Sequence, residues 1–277
     1  MKRTRFLWIV AIVITTAAAY YQRVTGPTYP LRESTTINGK IIQLHLERSH
    51  GGDDDAIVLI KTGDPDVAGA LIWRRYKTND EWEHQVLLGH HGLLTGVLPH
   101  QPPAGKLEYR VTLLSGIESV TVPPEGSVVM RFRGDVPLVI LLPHVLAMFG
   151  AMLLSTRAGL EFFNDTPKLK RWTFWTLGFL AVGGLILGPI VQKYAFGEYW
   201  TGWPYGTDLT DNKTLIALLG WAAAAIALYI SARPKVWALG AALLLFIVYL
   251  IPHSVWGSEI DYSKIESRAP AVQSAPH

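Results

Sequence analysis

Cysteine is absent from the chain. That excludes disulfides, thiolate zinc sites, iron–sulfur clusters, thiol catalysis and covalent haem attachment through a Cys-x-x-Cys-His motif. His, Met, Asp and Glu remain as the available metal ligands. Charge is scarce as well: Asp, Glu, Lys and Arg make up 17% of the 277 residues, against about 25% in ordinary soluble chains. The formal net charge of +3 is too small to point to nucleic acid. With 49% hydrophobic residues, extensive disorder is excluded. Catalytic signatures are missing too. The chain has no Gly-x-Ser-x-Gly elbow, Walker loop, dinucleotide fingerprint or His-Glu-x-x-His pair, so nothing in it names an enzyme. Few spans and no internal repeat argue against alternating-access transport.

What is present comes in blocks. Apolar runs cover 6–19, 137–154, 172–191, 215–230 and 236–251. The last four approach the length of a membrane-crossing helix, roughly 17–25 residues. The first is shorter, and Thr16-Ala17-Ala18-Ala19-Tyr20 would also suit a signal-peptide cleavage region. Tyr20, Tyr21 and Arg23 favour a retained helix with an interfacial anchor. Basic residues set the orientation. Lys2, Arg3 and Arg5 precede the first run, Arg157, Lys168, Lys170 and Arg171 separate the second from the third, and Arg233 and Lys235 separate the fourth from the fifth. Residues 195–212 carry no Lys or Arg. The pattern predicts about five spans in a bacterial inner membrane, with the N-terminus inside and the C-terminus outside.

Between the first two spans lies a polar stretch with short β-rich runs at 58–60, 70–76, 85–88, 107–113 and 127–132, separated by Gly, Pro, Asn and Asp clusters. The expectation is a membrane α-helical bundle with an inserted extracytoplasmic all-β sandwich. Its parts are an N-terminal helix at 1–21, the sandwich at 22–135, a four-helix membrane domain at 136–262 and a disordered tail at 263–277. Val97-Leu98-Pro99, followed by Leu107-Glu108-Tyr109-Arg110-Val111, resembles the E–F region of fibronectin type III domains, with Leu107 at the place of the corner tyrosine. This resemblance speaks to fold alone.

Chemistry gathers on the expected outer side. The loop from Phe196 to Asn212 holds Tyr199, Trp200, Trp203 and Tyr205 among glycines and acids. An aromatic belt followed by a helix cap from Thr210 or Asp211 explains part of it, but the aromatic density exceeds what anchoring requires. His144 lies inside the second span and His253 at the outer end of the fifth, each directly after proline. An ionisable side chain in a span is a functional-site candidate. A neutral imidazole hydrogen-bonded between helices is the simpler alternative. His144, Met148 and Met152 fall on one helix face, and both residue types ligate haem iron.

Taken in order, these features resemble the tryptophan-rich "WWD" haem-handling membrane proteins of cytochrome c maturation. Gly197-Glu198-Tyr199-Trp200 matches the start of that family's outer loop, with Trp203 and Asp208 as the second Trp and the acid. Thr214-Leu215-Ile216, Trp221, Tyr229 and Arg233 follow in the family's order. Thr201-Gly202 and residues 204–207 stretch the compact motif, and the family's sixth span is missing. The resemblance implies haem b held by His144 and His253 as axial ligands, with Met148 nearby. Tyr199, Trp200, Trp203 and Tyr205 would lie against the porphyrin, with Asp208 in the loop and Lys193 or Lys213 near the propionates. The protein would present haem to an apocytochrome or a respiratory-complex subunit, with membrane lipid around it.

Other readings stand beside this one. The chain can be a cofactor-free membrane scaffold whose sandwich docks a partner, with Trp73, Arg74, Arg75, Tyr76 and Trp82 as contact candidates. Asp208, Asp211, Asn212 and Glu198 offer oxygen ligands to a hard cation. His84, His90, His91 and His100 offer nitrogen to a transition metal.

Overall fold

The structure, a computed structural model, describes residues 2–252 and 259–262. Two compact units emerge, one from residues 2–29 and 135–252, the other from 30–134 and 259–262. His253 and the tail at 263–277 lie outside the described residues.

The helical unit comprises α1 (Lys2–Thr25), α2 (Leu138–Gly159), α3 (Leu169–Leu180), α4 (Gly188–Phe196), α5 (Leu209–Ile230) and α6 (Pro234–Leu250). α3 and α4 are one rod, joined by a π-helical stretch at Ala181–Leu187. Four helical stretches are long and apolar enough to cross a membrane: Arg3–Thr25, Leu138–Phe163, Leu169–Phe196 and Leu209–Ile230. α6 is apolar but has 17 residues. Only 22–28% of the four apolar windows is buried within the protein, and the rest is half-buried or exposed. Such a surface suits hydrocarbon, where helices satisfy their own backbone groups. The expected boundary at residue 21 falls inside α1, whose helix continues to Thr25.

Small residues let these helices approach closely. A Cβ on Gly183 would lie 2.9 Å from Met148 Sδ, and one on Gly184 would lie 2.7 Å from Thr214 Cγ2. The interior is built from alanines with Trp221, Met152, Leu180 and Leu245.

The bundle has two chemically different ends. At the basic end, Arg3 Nη1 pairs with Asp165 at 2.6 Å, and Lys235 Nζ donates to Asn164 O at 2.6 Å. Arg157 and Glu161 form a buried ion pair there, 2.7 Å apart and each 1% exposed. Glu161 also accepts from Trp172 Nε1, Asn164 Nδ2 and Lys168 N. The Arg157 guanidinium lies 5.6 Å from the Trp8 ring and 5.7 Å from that of Trp172, within cation–π reach. At the opposite end, Gln22 Nε2 donates to Tyr249 O at 2.9 Å and Lys213 Nζ to Ile251 O at 2.7 Å. The C-terminal ends of α1 and α6 therefore meet where α5 begins.

The β unit has eleven strands: β1 (Leu31–Ile37), β2 (Lys40–Leu46), β3 (Ser49–Gly51), β4 (Ala56–Lys61), β5 (Ala68–Arg75), β6 (Glu83–Val86), β7 (Leu88–His90), β8 (Leu93–Leu98), β9 (Lys106–Ser115), β10 (Glu118–Val122) and β11 (Val128–Arg133). They form a β1-β2 hairpin, a six-stranded sheet and a β4-β8-β7 sheet. β9 organises the larger sheet. β5 runs along one edge, from Ala68↔Leu114 to Arg75↔Leu107. β11 and β10 share the other edge, at Val128↔Tyr109 and Val120↔Leu113. Alternating residues from all three sheets, among them Leu44, Ile60, Leu71, Leu98, Tyr109 and Phe132, meet in one core. Buried Tyr109 satisfies its hydroxyl by donating to Glu47 O at 2.7 Å, and burial holds that hydroxyl well above its ordinary pKa.

Each expected β-rich run lies in or overlaps a strand, although the run at 85–88 spans two. The chain leaves β6 and enters β7 around Leu87, passing from one sheet to the other. The β1–β2 hairpin was not anticipated. It turns on Asn38 (φ 50°) and Gly39 (φ 70°), a pair suited to the left-handed conformations of a two-residue turn.

Candidate functional site

The loop at 197–208 is folded from within. α4 ends at Gly197, whose φ of 87° is left-handed and favours glycine. Asp208 caps α5, accepting from Thr210 N at 2.7 Å and Asp211 N at 3.4 Å. The cap is therefore Asp208, not Thr210 or Asp211 as expected, because Asp211 already has helical geometry and a different task. Its carboxylate reaches back to accept from Thr201 N at 2.7 Å, Gly202 N at 2.9 Å, Gln192 Nε2 at 3.2 Å and Thr201 Oγ1 at 3.3 Å. A Cβ on Gly202 would sit 2.5 Å from Asp211 Cβ, so the loop touches the helix where glycine leaves room. Asn212 Oδ1 accepts from Trp203 N at 2.6 Å.

The aromatic residues expected around a cofactor are set on this frame. Trp200 is half-buried and donates Nε1 to Trp203 O at 3.1 Å. Tyr199, Trp203 and Tyr205 are exposed. Lys193 donates to Gly197 O at 2.6 Å and lies 5.4 Å from the Tyr199 ring.

His144, half-buried on α2, places Nδ1 2.9 Å from Gly183 O. A carbonyl only accepts, so Nδ1 carries the proton and Nε2 keeps its lone pair when the ring is neutral. Gly183 O also accepts from Gly188 N within the π stretch. Met148, one turn along α2, offers its carbonyl to Tyr249 Oη at 2.5 Å. Beside Met148, Thr214, Tyr249 and buried Lys213 is a cavity of about 20 Å³, room for one water.

His144 and Met148 are thus placed together near Gly183, while Asp208 meets the loop through its amide, which donates to Thr201 O at 3.0 Å. Of the other candidate histidines, His90 and His91 lie edge to face with ring centroids 4.2 Å apart, and His84 and His100 lie on other segments. His84 is exposed on β6, His91 is in the β7–β8 turn with φ 48°, and His100 packs edge-on against Phe132. Among the described residues no three His, Asp or Glu side chains form a metal-binding group.

A second site, on the β unit, was only partly anticipated. The ends of β5 and β9 line a cleft of about 600 Å³ with residues 75–80, Lys106 and the segment 259–262. Glu259 lies between two lysines, 2.5 Å from Lys77 Nζ and 2.6 Å from Lys106 Nζ. Both ammonium groups lie near the Tyr76 ring, at 5.4 and 5.6 Å. Arg75 is held by Asp80 through two hydrogen bonds of 2.6 and 2.8 Å, and its guanidinium is 5.1 Å from the Tyr262 ring. Tyr262 Oη accepts from Lys106 N at 2.9 Å and lies 3.1 Å from Gln101 Oε1. Arg75 and Tyr76 were contact candidates from sequence. Lys77, Lys106, Glu259 and Tyr262 were not, and the one available signal was an acid and an aromatic in a short polar segment after the last apolar run.

Burial acts to raise the Glu259 carboxyl, but hydrogen bonds from Lys106 and Lys77 outweigh it, and its pKa lies below the ordinary 4.5. Lys77 is correspondingly raised by Glu259. Lys106 moves the other way, because burial costs its ammonium more than Glu259 returns. The Glu259 contribution is complete above its unfolded value and is lost as pH falls through the depressed one. Ile260 N donates to Ala104 O at 3.3 Å and reports on the segment. Its exchange protection, corrected for intrinsic rate, is expected to fall between about pH 6 and about pH 3. In Glu259→Gln it is expected to be low throughout, and an unchanged profile in that variant would remove Glu259 as the cause.

No protein-family model, curated protein or solved structure matches the chain.

Proposed function

We propose that this chain is a non-catalytic integral membrane scaffold whose β unit docks a partner outside the cytoplasmic membrane. The observation that carries this reading is the cleft of about 600 Å³ on the β unit, lined by charged and aromatic side chains, a size typical of ligand sites. Five crossings and a cytoplasmic N-terminus fit the same picture. Residues on either side of the α2–α6 stretch belong to the β unit, which supports an even number of passes between them, with α1 as one more. The end carrying Arg3, Lys170, Arg171, Arg233 and Lys235 is the cytoplasmic one by the positive-inside rule. A likeness of the β insert to a fibronectin-type sandwich is part of the same proposal.

The test is a photo-crosslinking residue at Asn79, on the rim of the cleft, introduced into the full chain in its native membrane. A discrete adduct that disappears with Lys106→Glu, while the protein level holds, is expected. A diffuse smear, or an adduct indifferent to Lys106, would defeat the docking reading.

Haem presentation is the second reading, favoured by one observation. The Nδ1–H of His144 is held by Gly183 O, the arrangement by which an imidazole presents Nε2 to a metal. His144 would supply one axial ligand to haem b. Its expected counterpart, His253, lies outside the described residues. The loop carboxylates and Lys193 are engaged in building the loop, which weighs toward docking. The visible spectrum of the purified protein with added haemin separates the two readings. A Soret band lost in His144→Ala supports haem, and a featureless spectrum leaves docking.

A further inference from the structure

The segment 259–262 is held differently from a strand added to a sheet edge. A backbone bond runs from Ile260 N to Ala104 O, at 3.3 Å. Side chains add to its grip: one carboxylate between two lysines, and one tyrosine beside an arginine. The surface under the tyrosine is shaped for it. A Cβ on Gly105 would stand 3.0 Å from Tyr262 Oη and 2.7 Å from Gln101 Cβ, so glycine admits the phenol. Tyr262 is 7% exposed, whereas the Lys77 and Glu259 side chains stay open at 61% and 34%. A buried aromatic anchor beside an accessible ion pair is how a peptide is captured and released: the anchor supplies area, and the rim charges set recognition and rate.

The charge left behind when the segment is lifted is also informative. Glu259 pairs with both Lys77 and Lys106, one negative charge against two positive, and Arg131 adds like charge near Lys106. Without the segment these cations face one another, and the cleft calls for a carboxylate. Much of the cleft, along Thr78, Asn79 and Asp80, lies beside the segment and offers length for a longer peptide.

We propose that this cradle recognises an acidic peptide segment with a carboxylate three residues before a tyrosine. In the free protein Glu259-Ile260-Asp261-Tyr262 fills it in cis, and a partner segment of the same chemistry displaces it. This rests on the docking reading and names the partner's chemistry. Attachment in the same chain gives the resident segment an effective concentration of about millimolar, so wild type resists an added peptide that a released variant accepts.

The test uses the full chain in nanodiscs and a fluorescein-labelled peptide copying residues 257–264. Anisotropy titration is expected to show about tenfold or tighter binding to the Glu259→Ala/Tyr262→Ala double variant than to wild type. Adding Lys77→Ala and Lys106→Ala is expected to abolish it. A peptide with Glu→Gln and Tyr→Ala changes is expected not to bind. Equal binding to wild type and the double variant, or none to a double variant that melts like wild type, overturns the proposal. Should the double variant fail to fold, wild type alone decides. Millimolar peptide must lower Ile260 amide protection, and unchanged protection rejects exchange. A discrete crosslink at Asn79 alongside failed peptide binding would leave the docking reading standing and remove the acidic–tyrosine chemistry.

Discussion

Glu161→Ala is expected to destabilise the helical unit by about 3–5 kcal/mol, the cost of leaving a buried charge without its counter-ion. Arg157 is 1% exposed, and between Trp8 and Trp172 it has aromatic faces but no other carboxylate in contact among the described residues. The substitution also strips the acceptor from Trp172 Nε1, Asn164 Nδ2 and Lys168 N. Unfolding in mixed micelles with increasing dodecyl sulfate measures the loss. The double change Arg157→Met/Glu161→Leu is expected to recover part of it, since removing both charges avoids the uncompensated one. Recovery stays partial because Trp172 Nε1 and Lys168 N still lack their acceptor. A Glu161→Ala protein within about 1 kcal/mol of wild type would mean that water or lipid phosphate reaches Arg157.

Asp211→Ala is expected to undo the loop at 197–208 while sparing the bundle. The carboxylate accepts two backbone amides and two side-chain donors, and Gly202 is buried. Hydrogen bonds to an ionised acceptor are worth about 1.5–3 kcal/mol each. Losing the set exposes or orphans the Thr201 and Gly202 amides, for a local cost of about 3 kcal/mol. Exchange protection at those two amides should drop by about a hundredfold, with α2 amides unchanged. Asp211→Asn retains one acceptor oxygen and should fall between. Uniform loss of protection across α2 and α5 would instead make Asp211 part of the global core.

How much of this was legible in the sequence depends on the range of the interaction. Apolar runs mark the helices because a span needs only its own residues to be apolar. The strand at 107–113 shows through its alternation and that at 127–132 through its β-rich composition. The β1–β2 hairpin was missed although Asn38-Gly39 announces its turn, because Leu31–Ile37 is rich in Ser, Thr, Glu and Arg and alternates only between half-buried and exposed before Ile37. The 197–208 loop stood out by composition, but composition cannot say that Asp208 caps and Asp211 braces, since both acids lie within one turn. Glu259 and Tyr262 are 153 and 156 residues from Lys106, and four residues carry no periodicity. His144 and Gly183 were each conspicuous, one as an ionisable group in a span and the other in a glycine pair. Their hydrogen bond depends on the approach of two helices, which no local pattern encodes.

The π-helical stretch at Ala181–Leu187 sets the phase of everything after it. A π turn holds an extra residue relative to an α path, so α4 is rotated by about 100° from where an unbroken α-helix would place it. Gln192, which reaches Thr201 and Asp211, owes its direction to that offset. Deleting one residue from the stretch would let the rod relax into an α-helix, shortening it by only about 1.5 Å. Its hydrophobicity would barely change, yet Gln192 would point to another side. The loop end of the bundle is in this sense a matter of counting. Substitutions within Ala181–Leu187 alter packing, but a change in residue number alters which face of α4 meets the loop.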